Sequence, residues 1–332
     1  MSKPIALFFM PRSFGGGTTS YTAHLYEGMR LAGYEPTVYR VKERGETDRP
    51  RPFAKYDGVT YRNVDSKTAL AIVRRVPSLM TAPCNSRYLE FDPTIMSRMM
   101  RAGMRVTVHD PSELVNYDER PEGAFCVRPA MKKLLKSAKF IPHPFVREYG
   151  DERHVSRDRE FYAVSVARVT FVKRTELILE ANESLSRERR VVLRGFENRV
   201  YTRFKVMPRF SRYRQGLTGF HHAWGSGSRE CARGHYAVDF SWFAEDGGGS
   251  QYTFMEAWDA GTANVVHEDW LRYRGEMVHD KNCVGVKGSA GLVELLKNGR
   301  LPNPRMMERG YDALRTHDPV SVARAYYREL TR

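Results

Sequence analysis

The sequence predicts an α/β protein of two lobes, each a parallel sheet with helices on both faces. Short apolar runs of strand length recur along the chain, and helix-period segments separate them. The rhythm breaks in a proline- and charge-rich stretch at 140–153 and then restarts. Strands buried on both faces read as continuous apolar runs, and their alternation with helices implies parallel crossovers. A length of 332 residues suits about two cores. The boundaries we read are an N-terminal lobe over 1–150, a second lobe over 151–310, and a C-terminal helix within 311–332 that packs back toward the first lobe.

The first lobe opens with an apolar strand over 5–9, broken by Phe14-Gly15-Gly16-Gly17. Thr18, Thr19 and Ser20 are candidate caps for a helix carrying Tyr21, Leu25, Met29 and Leu31, which Gly33 ends. Strands are expected at 36–41, 79–81, 105–108 and 124–127, and helices at 67–75, 94–102 and 130–137. The second lobe has strands at 161–166, 191–194, about 238–242 and 264–267, with helices at 176–185 and 254–260. The glycine- and arginine-rich stretch 195–234 carries no clear pattern. Residues 319–330 are helical by period.

Charge separates this chain from an ordinary α/β protein. The formal net charge is +15 and the isoelectric point about 9.7, with the excess spread over both halves. Such a field attracts a polyanion, nucleic acid or an anionic membrane surface. No apolar run approaches the ~18 residues of a membrane span, and the leading residues lack the pattern of a signal peptide. Cys84, Cys126, Cys231 and Cys283 are scattered without a CxxC pair, which fits a reducing compartment and argues against a disulfide framework or a zinc site. A cytoplasmic location is expected, the host cytoplasm if the protein is viral.

The most informative segment runs from Glu245 and Asp246 through Gly247-Gly248-Gly249-Ser250-Gln251-Tyr252 into a helix bearing Glu256. Backbone amides at a helix N-terminus favour an anionic diphosphate. A carboxylate one turn in is a strong acceptor for vicinal ribose hydroxyls, and an acid at the loop entrance suits sugar hydroxyls. A glycine triplet alone would read as a surface loop before an amphipathic helix.

Residues 255–266, Met-Glu-Ala-Trp-Asp-Ala-Gly-Thr-Ala-Asn-Val-Val, resemble the LEAMACGTPVV block of the retaining family 4 glycosyltransferases, and the loop before them resembles that family's EGFG turn. Residues 164–175, with Arg168 and Lys173, are similar to its VGRL…KG segment. The resemblance, closest to compact phage-encoded members, implies the GT-B architecture of two Rossmann-like lobes facing a cleft. It implies that Glu256 binds the donor ribose, and that Arg168 and Lys173 hold the diphosphate on which charge grows as the glycosidic bond breaks. Eight positions before Glu256, where the family carries a second glutamate, lies Gly248, so Glu245 and Asp246 are the acids assigned to the sugar. Gly248, Gly249, Ser250, Gln251 and Tyr252 complete the expected donor site. Gly16 and Gly17 occupy the place where such enzymes bring backbone close to the reaction centre. His109-Asp110 resembles the family's HD turn, which puts His109 beside the transferred sugar; His143-Pro144 reads as mainly structural.

No DxD, HExxH, GxxxxGK[ST] or GxSxG pattern occurs. The missing DxD argues against a metal-bridged diphosphate, so a metal-independent transferase with no further cofactor is expected. The resemblance implies a UDP- or GDP-sugar as co-substrate and retention of configuration, with the leaving phosphate taking the acceptor's proton. For the acceptor, Lys132, Lys136 and Lys139 would share one helical face, and Arg203, Arg209 and Arg212 interleave with Tyr201, Phe204, Phe210 and Tyr213. Cations paced by rings suit phosphate contact and base stacking. We expect double-stranded DNA, with a hydroxymethylated pyrimidine turned out of the duplex. The alternatives are an envelope lipid or polysaccharide acceptor at an anionic membrane, and a non-catalytic nucleic-acid-binding module. The oligomeric state is not legible.

Overall fold

The computed structural model describes residues 3–10, 16–42, 49–53, 56–83, 94–117, 121–150, 159–210, 225–243 and 245–332. The chain divides into two compact units, Met1–Val146 with Thr316–Arg332, and Arg147–Arg315.

The first unit is built on an eight-stranded sheet. Its strands are β1 (Pro4–Phe9), β2 (Glu35–Val41), β3 (Arg51–Phe53), β4 (Tyr56–Val64), β5 (Ser78–Ala82), β6 (Arg105–Val108), β7 (Phe125–Cys126) and β8 (Lys139–Phe140). They lie in the order β3-β4-β2-β1-β5-β6-β7-β8, parallel throughout except for the β3–β4 pair. Ile5 to Phe9 are all buried, as a central parallel strand requires. Helix α1 (Gly17–Leu31) follows, then α2 (Ser66–Val73) after β4 and α3 (Ile95–Arg101) after β5. Gly16 is the N-cap of α1 and no side chain caps it, so Thr18, Thr19 and Ser20 lie inside the first turn rather than serving as caps.

The helix expected over 130–137 is absent. Pro129–Lys133 makes a 3₁₀ turn, and the amide of Lys139 then bonds to the Ala124 carbonyl at 2.9 Å as β8 joins β7. Pairing at the sheet edge takes the residues a second helical turn would need. Lys132, Lys136 and Lys139 therefore share no helical face. Strands β3 and β4 were not expected, because buried Tyr56, Val59 and Val64 keep no period of two along a strand that passes through a left-handed Gly58.

The second unit holds five parallel strands, β9 (Phe161–Ser165), β10 (Val191–Leu193), β11 (Gly234–Asp239), β12 (Ala263–His267) and β13 (Cys283–Val286), in the order β10-β9-β11-β12-β13. Its helices are α4 (Thr175–Ser184), the single turn α5 (Arg199–Tyr201) running into a π-turn, α6 (Ser226–Ala232), α7 (Tyr252–Asp259), α8 (Gly288–Lys297) and α9 (Pro304–Ala313). Successive strand residues enter different cores: Ala163, Tyr236 and Val238 join one apolar cluster, Val164 and Ala237 another. Both sheet faces are thus covered, as the period of two dictates. The strand placed near 238–242 lies earlier, because Asp239 ends it by binding Ser241.

Helix α10 (Pro319–Leu330) belongs to the first unit and lies along α1. A Cβ on Gly28 would stand 2.4 Å from the Pro319 carbonyl oxygen, so glycine permits the approach. Tyr34 and Tyr327 stack at 4.2 Å beside it. Among the described residues no helix is long and apolar enough to cross a membrane.

Candidate functional site

Open parallel sheets bind ligands beyond the carboxyl ends of their strands, and in the second unit those ends carry a polar centre. The loop leaving β9 is fixed by the loop leaving β10. The amide of Val169 bonds to Phe196 O at 2.7 Å, and that of Asn198 to Val169 O at 3.0 Å. Gly195 makes the contact possible, since a Cβ there would sit 1.8 Å from Ala167 O. The chain then makes a 3₁₀ turn at Phe171–Lys173 and enters α4 through Arg174 in the left-handed region, φ 44°. Arg174 is anchored by Asp269 at 2.8 Å and lies over the Trp242 ring, 5.2 Å from its centroid.

That turn delivers Lys173 into the centre. Its Nζ lies 2.9 Å from Asp239 Oδ2 and 3.0 Å from Gln251 Oε1, and it also donates to the Ser241 hydroxyl. Asp239, buried at the end of β11, accepts from the Ser241 amide at 2.9 Å, the Ser241 hydroxyl at 2.6 Å and the Thr253 hydroxyl at 2.6 Å. Burial alone would raise its pKa, but Lys173 and these hydroxyls outweigh it and leave the carboxyl below the usual range.

Glu256 lies one turn into α7. The helix buries Phe254, Met255, Ala257 and Trp258, which leaves Thr253 and Glu256, three apart, on its partly open face. The carboxylate rests over the α-carbon of Gly227 in α6, where a Cβ would meet Cδ at 2.1 Å and the oxygens at 2.2 and 2.3 Å. Among the described residues it has no hydrogen-bond or ion-pair partner. Burial first, then the nearby Asp259, push its pKa up to about 8, with Lys173 acting in the opposite sense. Lys173, Gln251 and Glu256 are thus brought together. Arg168 begins the same loop as Lys173, exposed and without an ion pair among the described residues.

The glycine loop is held rather than free. Gly247 and Gly248 take φ of 151° and 69°, and a Cβ on Gly248 would stand 2.1 Å from Tyr273 O. Met277 N donates to Gly248 O at 2.8 Å, and Trp270 Nε1 to Gly249 O at 3.0 Å. The amide and hydroxyl of Ser250 both donate to Glu276. Asp246 is buried and accepts from the Gly247 amide at 2.9 Å, while Glu245 is exposed with φ 62°. Tyr252 is buried at the start of α7, and Gln251, its N-cap, makes no side-chain cap.

In the first unit Gly16 caps α1, and nothing lies within 4 Å of a Cβ placed on Gly17. His109, at the end of β6, is buried edge-on against Tyr21 at 4.6 Å, with Nε2 2.7 Å from Thr81 O. Burial pulls its pKa to about 4, so it is neutral at physiological pH. Lys132 and Lys136 are exposed, whereas Lys139 pairs with Glu329. In the second unit Arg203 lies over Phe204 and Arg209 pairs with Glu180 at 2.6 Å. Tyr201 and Phe210 are core residues, which corrects the expectation of a run of stacking rings; of these, Phe204 alone among the described residues is exposed. Arg212 and Tyr213 lie outside the described residues. Asp239, Ser241, Thr253 and Glu276 were not singled out from sequence. The available signal was an aspartate closing the buried strand Gly234–Asp239. Among the described residues no group of three or more His, Cys, Asp or Glu could hold a metal ion.

No protein-family model and no curated protein sequence matches the chain. Solved structures do. An alpha-glucosyltransferase in complex with UDP and a 13-mer DNA containing a HMU base superposes with a TM-score of 0.73 at 13% identity, covering 100% of both chains. Anabaena Alr3699/HepE in complex with UDP gives 0.67 at 11% identity over 99% of each chain. The pneumococcal O-GlcNAc transferase GtfA in complex with UDP and GlcNAc gives 0.68 at 10% identity, again over 99% of each. Likeness across the whole chain at so low an identity is a likeness of fold, and the fold of this chain is GT-B, with two Rossmann-like α/β domains.

Proposed function

We propose that the protein is a metal-independent glycosyltransferase that moves a sugar from a nucleoside-diphosphate sugar to a hydroxyl on DNA. The observation that carries this reading is the centre at the carboxyl ends of β9 and β11. There a fixed Lys173 ammonium and a Glu256 carboxylate without a partner among the described residues lie within electrostatic reach of each other, beside the start of α7. A cation and an acid so arranged match a diphosphate and its ribose. Glu256 accepts the vicinal hydroxyls, Lys173 and Arg168 face the phosphates, and Gly248, Gly249 and Ser250 enclose them.

In the reaction the acceptor hydroxyl oxygen bonds to C1 of the sugar as the bond from C1 to the phosphate oxygen breaks. Negative charge collects on the leaving diphosphate, where Lys173 and Arg168 stabilise it. With attack on the face the phosphate leaves, configuration is retained and the hydroxyl proton passes to the departing phosphate. No protein base is required.

DNA as acceptor is supported by the net charge of +15, by exposed Lys132, Lys136 and Arg203, and by the fold likeness to an alpha-glucosyltransferase solved with DNA. The acceptor group we favour is a hydroxymethylated pyrimidine. The test is incubation with UDP- and GDP-sugars and duplex DNA carrying hydroxymethylated bases, read by nucleoside mass spectrometry. A hexose added to the modified base is expected. Transfer to envelope lipid or polysaccharide with none to DNA would overturn the acceptor, and no nucleoside diphosphate released from any donor would overturn the activity.

A further inference from the structure

We infer that Asp239 is a positioning residue of the donor site: buried at the end of β11, it holds the Lys173 ammonium where the donor's diphosphate meets it. The inference rests on the donor-site reading above and names the residue on which Lys173 depends.

The geometry leaves Asp239 no part in direct contact with substrate. One oxygen accepts from the Ser241 amide and hydroxyl, the other from Thr253 and Lys173, so each carries two donors. With 4% of its surface exposed it has no lone pair to offer a ligand. What it can do is fix its neighbour. A lysine has four carbons of freedom and loses much rotamer entropy when held. Here that ordering is complete before any donor arrives.

The three protons of the ammonium are all engaged, by Asp239, Ser241 and Gln251. A phosphate oxygen must displace one of these partners. Gln251 is the one that yields, being neutral and the most distant of the partners at 3.0 Å, while the ion pair with Asp239 persists. Its Nε2, buried without an acceptor among the described residues, is then available to the same anion. Asp239 also sits at a price in attraction, since it offsets part of the Lys173 charge. The arrangement favours placement over raw charge.

The experiment is a double-mutant cycle read by UDP and GDP titration calorimetry and by thermal melting. Asp239→Asn and Lys173→Met should each weaken nucleotide binding about tenfold or more. The double variant should be no weaker than Lys173→Met alone, because Asp239 acts only through that lysine. Losses that add, or an Asp239→Asn protein that melts early yet binds as wild type once folded, would overturn the inference. If Asp239→Asn fails to fold, Thr253→Val removes one hydrogen bond to the same carboxylate. It should give a smaller loss that vanishes in the Lys173→Met background; a loss that persists there overturns the inference. Wild-type protein that binds neither nucleotide overturns the donor-site reading itself, whereas tight wild-type binding with additive losses overturns this inference alone.

Discussion

Replacing Gly227 by alanine tests the site through a residue that has no chemistry of its own. A Cβ there would stand 2.1 Å from Glu256 Cδ and 2.2–2.3 Å from its oxygens. Ordinary contact begins near 3.5 Å, so the carboxylate must retreat by about 1.4 Å. The obstructing atoms are the far end of a flexible side chain, and Gly227 does not take a positive φ. The fold should therefore tolerate alanine, with a gain of roughly 0.4–1 kcal/mol from reduced freedom of the unfolded chain. Binding should suffer. If Glu256 accepts the ribose hydroxyls, losing those charge-assisted bonds at about pH 9, where the carboxyl is ionised, costs about 1.5–3 kcal/mol, or roughly ten- to a hundredfold in Kd. The assay is calorimetric titration with UDP and GDP beside a melting curve without ligand. A melting temperature unchanged or slightly raised, with weakened binding matched by Glu256→Ala, is expected. Wild-type affinity in both variants would refute the placement of Glu256 at the ribose.

Arg168→Ala should lower turnover by about 10²–10³ while changing nucleotide affinity less, since its charge is needed most as the diphosphate departs; rate and titration measured together decide it. Because burial raises the Glu256 pKa to about 8, the ionised acceptor is the minor form at pH 7. Nucleotide affinity should tighten about tenfold from pH 7 to 9, and Glu256→Gln should flatten that rise. His24 and His109 are buried with pKa values of about 3 and about 4. The unfolded chain, near 6.5, binds protons that the native one refuses, so the stability these residues support is complete above pH 6.5 and falls with acid. At pH 5 the loss is about 2 kcal/mol for each, and denaturation midpoints at pH 7.5 and 5 should show it, less steeply in His24→Gln. Gly28→Ala should cost about 1–3 kcal/mol by pressing a methyl on the Pro319 carbonyl, 2.4 Å away, and a melt at the same nucleotide-free conditions reads it.

The elements the sequence made legible are those whose pattern is local and undisturbed. Ile5 to Phe9, Val265-Val266 and the helix at Pro319–Leu330 declare themselves by burial on one or both faces. Strand β4 and the segment after Pro129 do not. In β4 the buried residues keep no period of two, and after Pro129 a helical pattern loses to pairing at a sheet edge. The same divide runs through the site. Glycine at 247 and 248, and an acid one turn into the following helix, stand in adjacent sequence and could be read from it.

Two things needed the tertiary structure. Asp239 meets Lys173 across 66 residues, and Glu256 faces Gly227 from another helix. Sequence determined which segments bury themselves and in what order, because burial follows from local periodicity. Which charges face each other was decided only when β9 and β11 came side by side, since parallel pairing sets the ends of distant strands together.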